Sequence, residues 1–365
     1  SMDLDFNHRE LNNPHSIENP KSSYDLLQLR SSHRFLNSAI SLFNNYQLNQ
    51  TEFFPKIRDL VYVGHGLGVY DSTGVMVDGG DYNYEYITST KGTLSTEITA
   101  LSSIYLKPAL YWPNTIWQKV QSDLTLNGTE QLDKQPDLGN IFFLPEHSFN
   151  SESTIYARQS YLHNFWFDLY KSRMIANLNW EINRDLDQRY QDTQKSLERI
   201  LGMKLDMKGF AGVNNRLELI SEETEESRYD SRISRQTLIN SIEKKFTSSS
   251  TAQIELSISQ EKGKKQNAGD QDYRLQSVSI SPSLRSVLLQ KYRVSGSISL
   301  GYNDRKGTDF LSFLPQKREG VVSDGQLSMI YRVNSISTFS LEYRFTKYPH
   351  TKDTHNLKLE FKAEL

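Results

Sequence analysis

Residues 357–365 read Leu-Lys-Leu-Glu-Phe-Lys-Ala-Glu-Leu, and nothing breaks the alternation: Leu357, Leu359, Phe361, Ala363 and Leu365 are apolar, while Lys358, Glu360, Lys362 and Glu364 are charged. Successive side chains of a strand point to opposite faces, so this segment has one apolar face and one charged face. At roughly 3.4 Å per residue it runs about 30 Å, and a tilt near 40° makes that about 23 Å along a membrane normal. A transmembrane barrel carries an apolar band of roughly 25 Å. The segment has the length and the pattern of a strand that faces lipid.

The same period returns along the chain. Met174, Ala176, Leu178, Trp180 and Ile182 alternate with Asn177, Asn179, Glu181 and Asn183. Leu201, Met203, Leu205 and Met207 alternate with Gly202, Lys204, Asp206 and Lys208, and Ile254, Leu256 and Ile258 with Glu255, Ser257 and Ser259. Tyr292, Val294, Ile298, Leu300 and Tyr302 oppose Arg293, Ser295, Ser297 and Ser299. Counting such segments predicts an all-β chain, an antiparallel transmembrane β-barrel of about 14 strands. Connections from residue 251 onward alternate between long and short. Gln260–Asp272, Asn303–Gly325 and Thr346–Asn356 read as long loops, while a site near Pro282 and the pair Asn334-Ser335 read as tight turns. Outer-membrane barrels sort their loops this way, with the long ones outside.

Composition agrees. The hydrophobic share is 36%, against about 45–50% for ordinary soluble domains on a closely similar count. With 11% aromatic residues and regular alternation the chain does not read as disordered; a sheet with one wet face needs apolar residues on the other face only. A net charge of -2 provides no basic stripe for nucleic acid. Zero cysteine removes disulfides, thiolate metal sites and cysteine nucleophiles. No apolar run approaches the roughly 18 residues of a spanning helix, and no leader pattern is visible at the start.

Three stretches lack the alternation. Residues 1–22 are polar and read as a flexible lead-in to a single domain over 23–365. Asp192–Leu201 reads as a short helix or the flank of a strand, and Ser221–Asp230 as an acidic solvated loop.

Residues 61–87 read VYVGHGLGVYDSTGVMVDGGDYNYEYI. A phosphate loop needs a helix after its glycines, and Gly64-His65-Gly66-Leu67-Gly68 is followed by more strand pattern. Asp71, Asp78 and Asp81 are candidate calcium ligands, although their spacing is not that of an EF-hand loop. The plainer reading makes Ser72-Thr73-Gly74 and Asp78-Gly79-Gly80 hairpin turns. Gly66, Gly68, Tyr70 and Asp71, followed by Gly80, Asp81 and Tyr82, resemble a Gly-x-Gly-x-Tyr-Asp…Gly-Asp-Tyr motif of large outer-membrane or cell-surface β-barrel proteins of Bacteroidota- and Ignavibacteria-type bacteria. The resemblance implies an envelope location and a barrel, and it brings no catalytic residue. The chain end departs from the usual barrel assembly signal, since Phe361 is its one aromatic residue and Leu365 closes it.

The histidines are scattered and none forms a His-x-x-x-His pair on a helix, so no zinc site is expected. No Gly-x-Ser-x-Gly elbow marks a hydrolase, and neither an enzyme nor a cofactor is expected, with an outer-membrane hydrolase as the third reading, since a triad meets in space and not in sequence. Aromatic clusters such as Tyr111, Trp112, Trp117, Phe165, Trp166 and Phe167 read as interface girdles, with sugar-stacking platforms as the rival. Basic pairs at Lys264-Lys265 and Arg305-Lys306 read as solvated loop charge that lipid phosphates would also fit.

The expectation is a protein of the bacterial outer membrane, a passive solute channel or a scaffold for surface loops, with lipid and small solutes as partners. Parity puts Asn177, Asn179, Glu181, Arg293 and Ser297 on the lumen wall. The alternative is a soluble all-β surface protein that binds glycan or protein through aromatic patches.

Overall fold

The computed structural model describes residues 1–12, 21–53, 56–65, 67–88, 93–113, 116–133, 153–189, 193–227, 230–265, 271–289, 291–307, 317–333 and 337–363. The chain begins with β1 (Met2–Asn12), β2 (Lys21–Phe35) and β3 (Ile40–Phe53). A small sheet follows, of β4 (Lys56–Tyr62), β5 (Gly68–Tyr70), β6 (Met76–Gly80) and β7 (Tyr82–Thr88). The main sheet resumes with β8 (Thr93–Leu106), β9 (Val120–Leu132), β10 (Thr154–Tyr170), β11 (Met174–Asp187), β12 (Gln194–Lys208) and β13 (Val213–Glu226). It ends with β14 (Ser231–Thr247), β15 (Ser250–Lys265), β16 (Gln271–Leu288), β17 (Tyr292–Gly307), β18 (Gly320–Arg332), β19 (Ser337–Lys347) and β20 (Thr354–Ala363).

Apart from the excursion through β4–β7, each strand pairs with its sequence neighbours, all antiparallel, in a 16-stranded sheet. The all-β expectation holds, with 16 strands in place of about 14. Among the described residues no ladder joins β1 to β20, so the sheet is open, with two free edges.

Register converts the sequence alternation into two continuous faces. Directly opposed residues share a face, and one such row runs Trp180–Leu201, Met203–Leu219, Leu238–Ile258 and Ile258–Val278 across β11 to β16. It continues through Val278–Tyr302, Leu327–Tyr343, Tyr343–Leu357 and Phe339–Phe361 to the last strand. Large apolar side chains on this face are substantially exposed, Leu256 at 47% and Leu359 at 57%. The opposite face carries Ser, Thr, Asn and paired charges. From Tyr292 to Tyr302 the apolar side of β17 covers about 33 Å, or about 25 Å at a 40° tilt. An exposed apolar band, bounded on β17 by Tyr292 and Tyr302, therefore crosses β11 to β20, while on β8 and β9 the same face is covered and buries Ile98, Ala100 and Leu132.

Connections differ between the two ends. At one end they are mostly short, as at residues 36–39, 171–173, 209–212, 248–249 and 333–336. At the other they include 54–92, 133–153, 308–319 and 348–353. Exposed aromatics gather at the turn end: Phe35, Trp112, Trp117, Tyr170, Phe210 and Phe246.

Several loops expected from sequence are strand. β15 and β16 extend to Lys265 and from Gln271, β17 and β18 to Gly307 and from Gly320, and the acidic segment from Ser221 is the end of β13. Beyond the band both faces are polar, so the alternation that marks a strand disappears while the ladder goes on. Pro282 is inside β16, opposite Ile254, and not in a turn. The β16–β17 ladder skips Ser281 and Pro282, as a residue without an N–H requires. Of the stretch 192–201, read as a short helix or the flank of a strand, Gln194 onward is strand, the start of β12, and Asp192 lies outside the described residues. Residues 2–12 of the expected lead-in form β1 along β2.

Candidate functional site

The polar face of the sheet concentrates the charged chemistry of the chain, most densely near the loop end of β13–β17. Glu222, Arg235, Glu261 and Leu275 stand directly opposite one another on four consecutive strands. Arg235 Nε donates to Glu261 Oε2 at 2.8 Å, and its guanidinium reaches Glu222 at 3.3 Å. Lys317, in the connection between β17 and β18, donates from Nζ to Glu261 Oε1 at 2.6 Å. The Tyr273 hydroxyl donates to the same oxygen, and Arg305 lies 5.4 Å over the Tyr273 ring. Beside this group, Asn303 Nδ2 donates to the Arg318 carbonyl at 3.1 Å, which ties the same connection to the polar face.

Glu261 is 2% exposed, so its charge is desolvated, and both of its carboxylate oxygens are engaged. It sits beyond the apolar band, which on β15 ends at Ile258. Burial pushes the Glu261 carboxyl up, but hydrogen bonds from Lys317 and Tyr273 and the Lys317 charge outweigh it and hold the group below the ordinary range. Burial raises the Tyr273 phenol. An ideal Cβ on Gly263 would sit 2.0 Å from the Tyr273 ring, so only glycine lets the ring lie across β15 toward Glu261.

The residues expected to line a lumen all fall on this polar face. Asn179 Nδ2 donates to Asn164 Oδ1 at 2.9 Å, Asn177 Nδ2 to the Phe165 carbonyl at 3.3 Å, and Asn183 Nδ2 to Glu181 Oε1 at 2.8 Å. Ser297 and Arg293 follow on β17, opposite Gln326 and Ile330. These residues are spread over the wall. The cluster around Glu261 was missed because Glu222, Glu261, Arg305 and Lys317 lie in segments read as loops. The parity of Glu222, continuing that of Glu218 and Ile220, is the signal that identifies it.

The glycine-rich segment is explained by packing. Gly68 and Gly80 oppose each other in β5 and β6, and a Cβ on either would lie about 2.4–2.5 Å from the backbone of Tyr82 or Tyr70. Asp71 Oδ1 accepts from Thr73 N at 2.8 Å and Val75 N at 3.0 Å, and Gly74 has φ +82°, so Ser72-Thr73-Gly74 is a turn as expected. The Thr73 hydroxyl bond, with those backbone bonds, lowers the Asp71 carboxyl below its ordinary value. Asp78-Gly79-Gly80 is strand and not a turn. Of the calcium candidates, Asp71 caps this turn and Asp81 faces His65 at 3.0 Å, while the side chain of Asp78 lies outside the described residues. Among the described residues no three acidic or histidine side chains form a metal-ligand group.

No family model matches the chain, and no curated protein matches it. A solved structure described as a bacterial polysaccharide outer membrane secretin is similar at 10% identity and a TM-score of 0.38, over 99% of this chain and 96% of that one. At that similarity nothing of its role passes to this chain.

Proposed function

We propose that this chain is the wall of an outer-membrane β-barrel whose polar face lines a lumen for small polar solutes. The observation that carries this reading is the exposed apolar band, continuous from β11 to β20 and backed by a polar face. In water such a band would be a large unsatisfied apolar surface; in a bilayer it is solvated by lipid. Its height of about 25 Å between tyrosines matches the hydrocarbon layer of such barrels. Sorting of short and long connections to opposite ends supports a loop end on the outside. Asn177, Asn179, Glu181, Arg293 and Ser297 then face the solute, with selection by width and charge.

A barrel requires β1 to meet β20, and both edges are apolar on the side of the band. Leu4 and Phe6 lie on the apolar side of β1, and Leu357, Leu359 and Phe361 on that of β20. On the polar side β1 presents Asp3 and Asp5, and β20 presents Lys358 and Lys362 with Glu360 between them, 3.6 and 3.4 Å from the two lysines. The chain has no cysteine, so Leu4→Cys with Leu359→Cys gives a clean crosslinking test in detergent. An oxidised, faster-migrating monomer is the expected product and means closure within one chain. A crosslinked dimer, or no crosslink while both thiols react with a maleimide, contradicts the single-chain barrel.

A further inference from the structure

On the other side of the same strands lies a second charged group, on the face that carries the apolar band. Lys262 stands opposite Arg274 and Arg274 opposite Lys306, while Lys264 stands opposite Arg232 and Asp272. All five cations are exposed. They line one cavity of about 550 Å³ with Asp272 as its one acidic residue. Arg232 is engaged by Glu223 and Glu225 of the neighbouring strand. Arg274 donates to Gln260 Oε1 at 3.2 Å, which leaves its other N–H groups available. Lys262 and Lys306 have no ion-pair partner among the described residues. The floor of the cavity is close-packed backbone: Gly307 has φ +98°, and a Cβ there would lie 2.2 Å from the Asp272 carbonyl oxygen.

The position selects the ligand. Toward the sheet centre, past the row Gln260, Gln276 and Asp304, the same face carries Ile258, Val278 and Tyr302, the upper edge of the band. Cations placed there meet the headgroup layer at the loop end. Clustered lysines and a fork-shaped guanidinium suit phosphate oxygens, and the apolar side chains beneath suit acyl chains.

We propose that Lys262, Arg274 and Lys306, with Lys264 beside them, form a binding site for the phosphorylated headgroup of a membrane glycolipid, whose acyl chains lie over Ile258, Val278 and Tyr302. The proposal rests on the membrane reading above and adds its lipid partner. It explains why cations crowd the outward face where lumen selectivity gains nothing from them.

The test uses full-length protein in neutral detergent that migrates as a compact species until boiled. Native mass spectrometry counts bound bisphosphorylated lipid A, with dephosphorylated lipid A and inorganic phosphate as the comparison probes. Lys262→Ala/Arg274→Ala/Lys306→Ala is expected to lose about tenfold or more in affinity, since charge-assisted bonds to phosphate carry most of the contact. Lys171→Ala/Lys291→Ala, in exposed turns at the opposite end of the sheet, is expected to bind as wild type, and heat-modifiable migration reports that each variant is folded. Equal binding of phosphorylated and dephosphorylated lipid, an unaffected triple variant, or displacement by millimolar inorganic phosphate would each overturn the site. A chain that never needs detergent overturns the membrane reading itself, a distinct failure.

Discussion

Residues 261 and 262 are neighbours in β15 and point to opposite faces, and the two charge clusters they anchor follow opposite rules. Glu261 is buried, and Arg235, Lys317 and Tyr273 close around it so that charge is neutralised within the chain. Lys262 is exposed among Lys264, Arg274 and Lys306, where like charges gather around one cavity. Gathering like charge costs stability unless a counter-ion arrives. Closed clusters of the first kind hold a structure; open clusters of the second kind await a ligand.

The largest effect that sharpens this contrast comes from the closed cluster. Glu261→Ala leaves Arg235 and Lys317 facing each other, and allowing for the partly exposed Arg235 side chain we expect a loss of about 2–3 kcal/mol. Its neighbour Lys262→Ala should stay within about 0.5 kcal/mol, as surface changes do. Urea midpoints in detergent compare the two, and equal losses would erase the distinction. Next is Gly263→Val, which displaces the Tyr273 ring from Glu261 and should cost about 1–2 kcal/mol in the same assay. A neutral result would mean that the Tyr273 contact does not hold the cluster.

The smallest effect is in pH. The Glu261 carboxyl is held below its ordinary value in the folded chain, so its contribution is complete above the unfolded value of about 4.3. That contribution is lost as pH falls from there through the lower folded value. Wild type should therefore lose midpoint as pH falls below about 4.3, and Glu261→Gln should lose less over the same interval. Parallel curves would remove Glu261 from the account.

The sequence disclosed the middle of each strand and concealed its ends. In β15 the period could be read because Ile254, Leu256 and Ile258 are apolar, whereas from Gln260 to Lys264 both faces are polar and the period vanishes. Both clusters lie in that concealed region, which is why Lys264 and Lys306 read as loop charge and Glu222 as part of an acidic loop. Pro282 misled for a related reason: its missing N–H is tolerated inside the sheet by a local gap in one ladder. The turn at Ser72-Thr73-Gly74 was legible because Asp71 and Gly74 have turn chemistry that depends on no distant partner. The Gly68–Gly80 approach depends on how β5, β6 and β7 pair, which no local pattern announces.

The central claim is that the apolar band is solvated by lipid. The most direct test is to purify the chain with and without detergent and compare gel migration before and after boiling. A protein that aggregates in plain buffer, dissolves in detergent and migrates as a compact species until boiled is the predicted result. A monodisperse, detergent-free protein whose migration is unchanged by boiling would contradict the membrane assignment and everything built on the outward face.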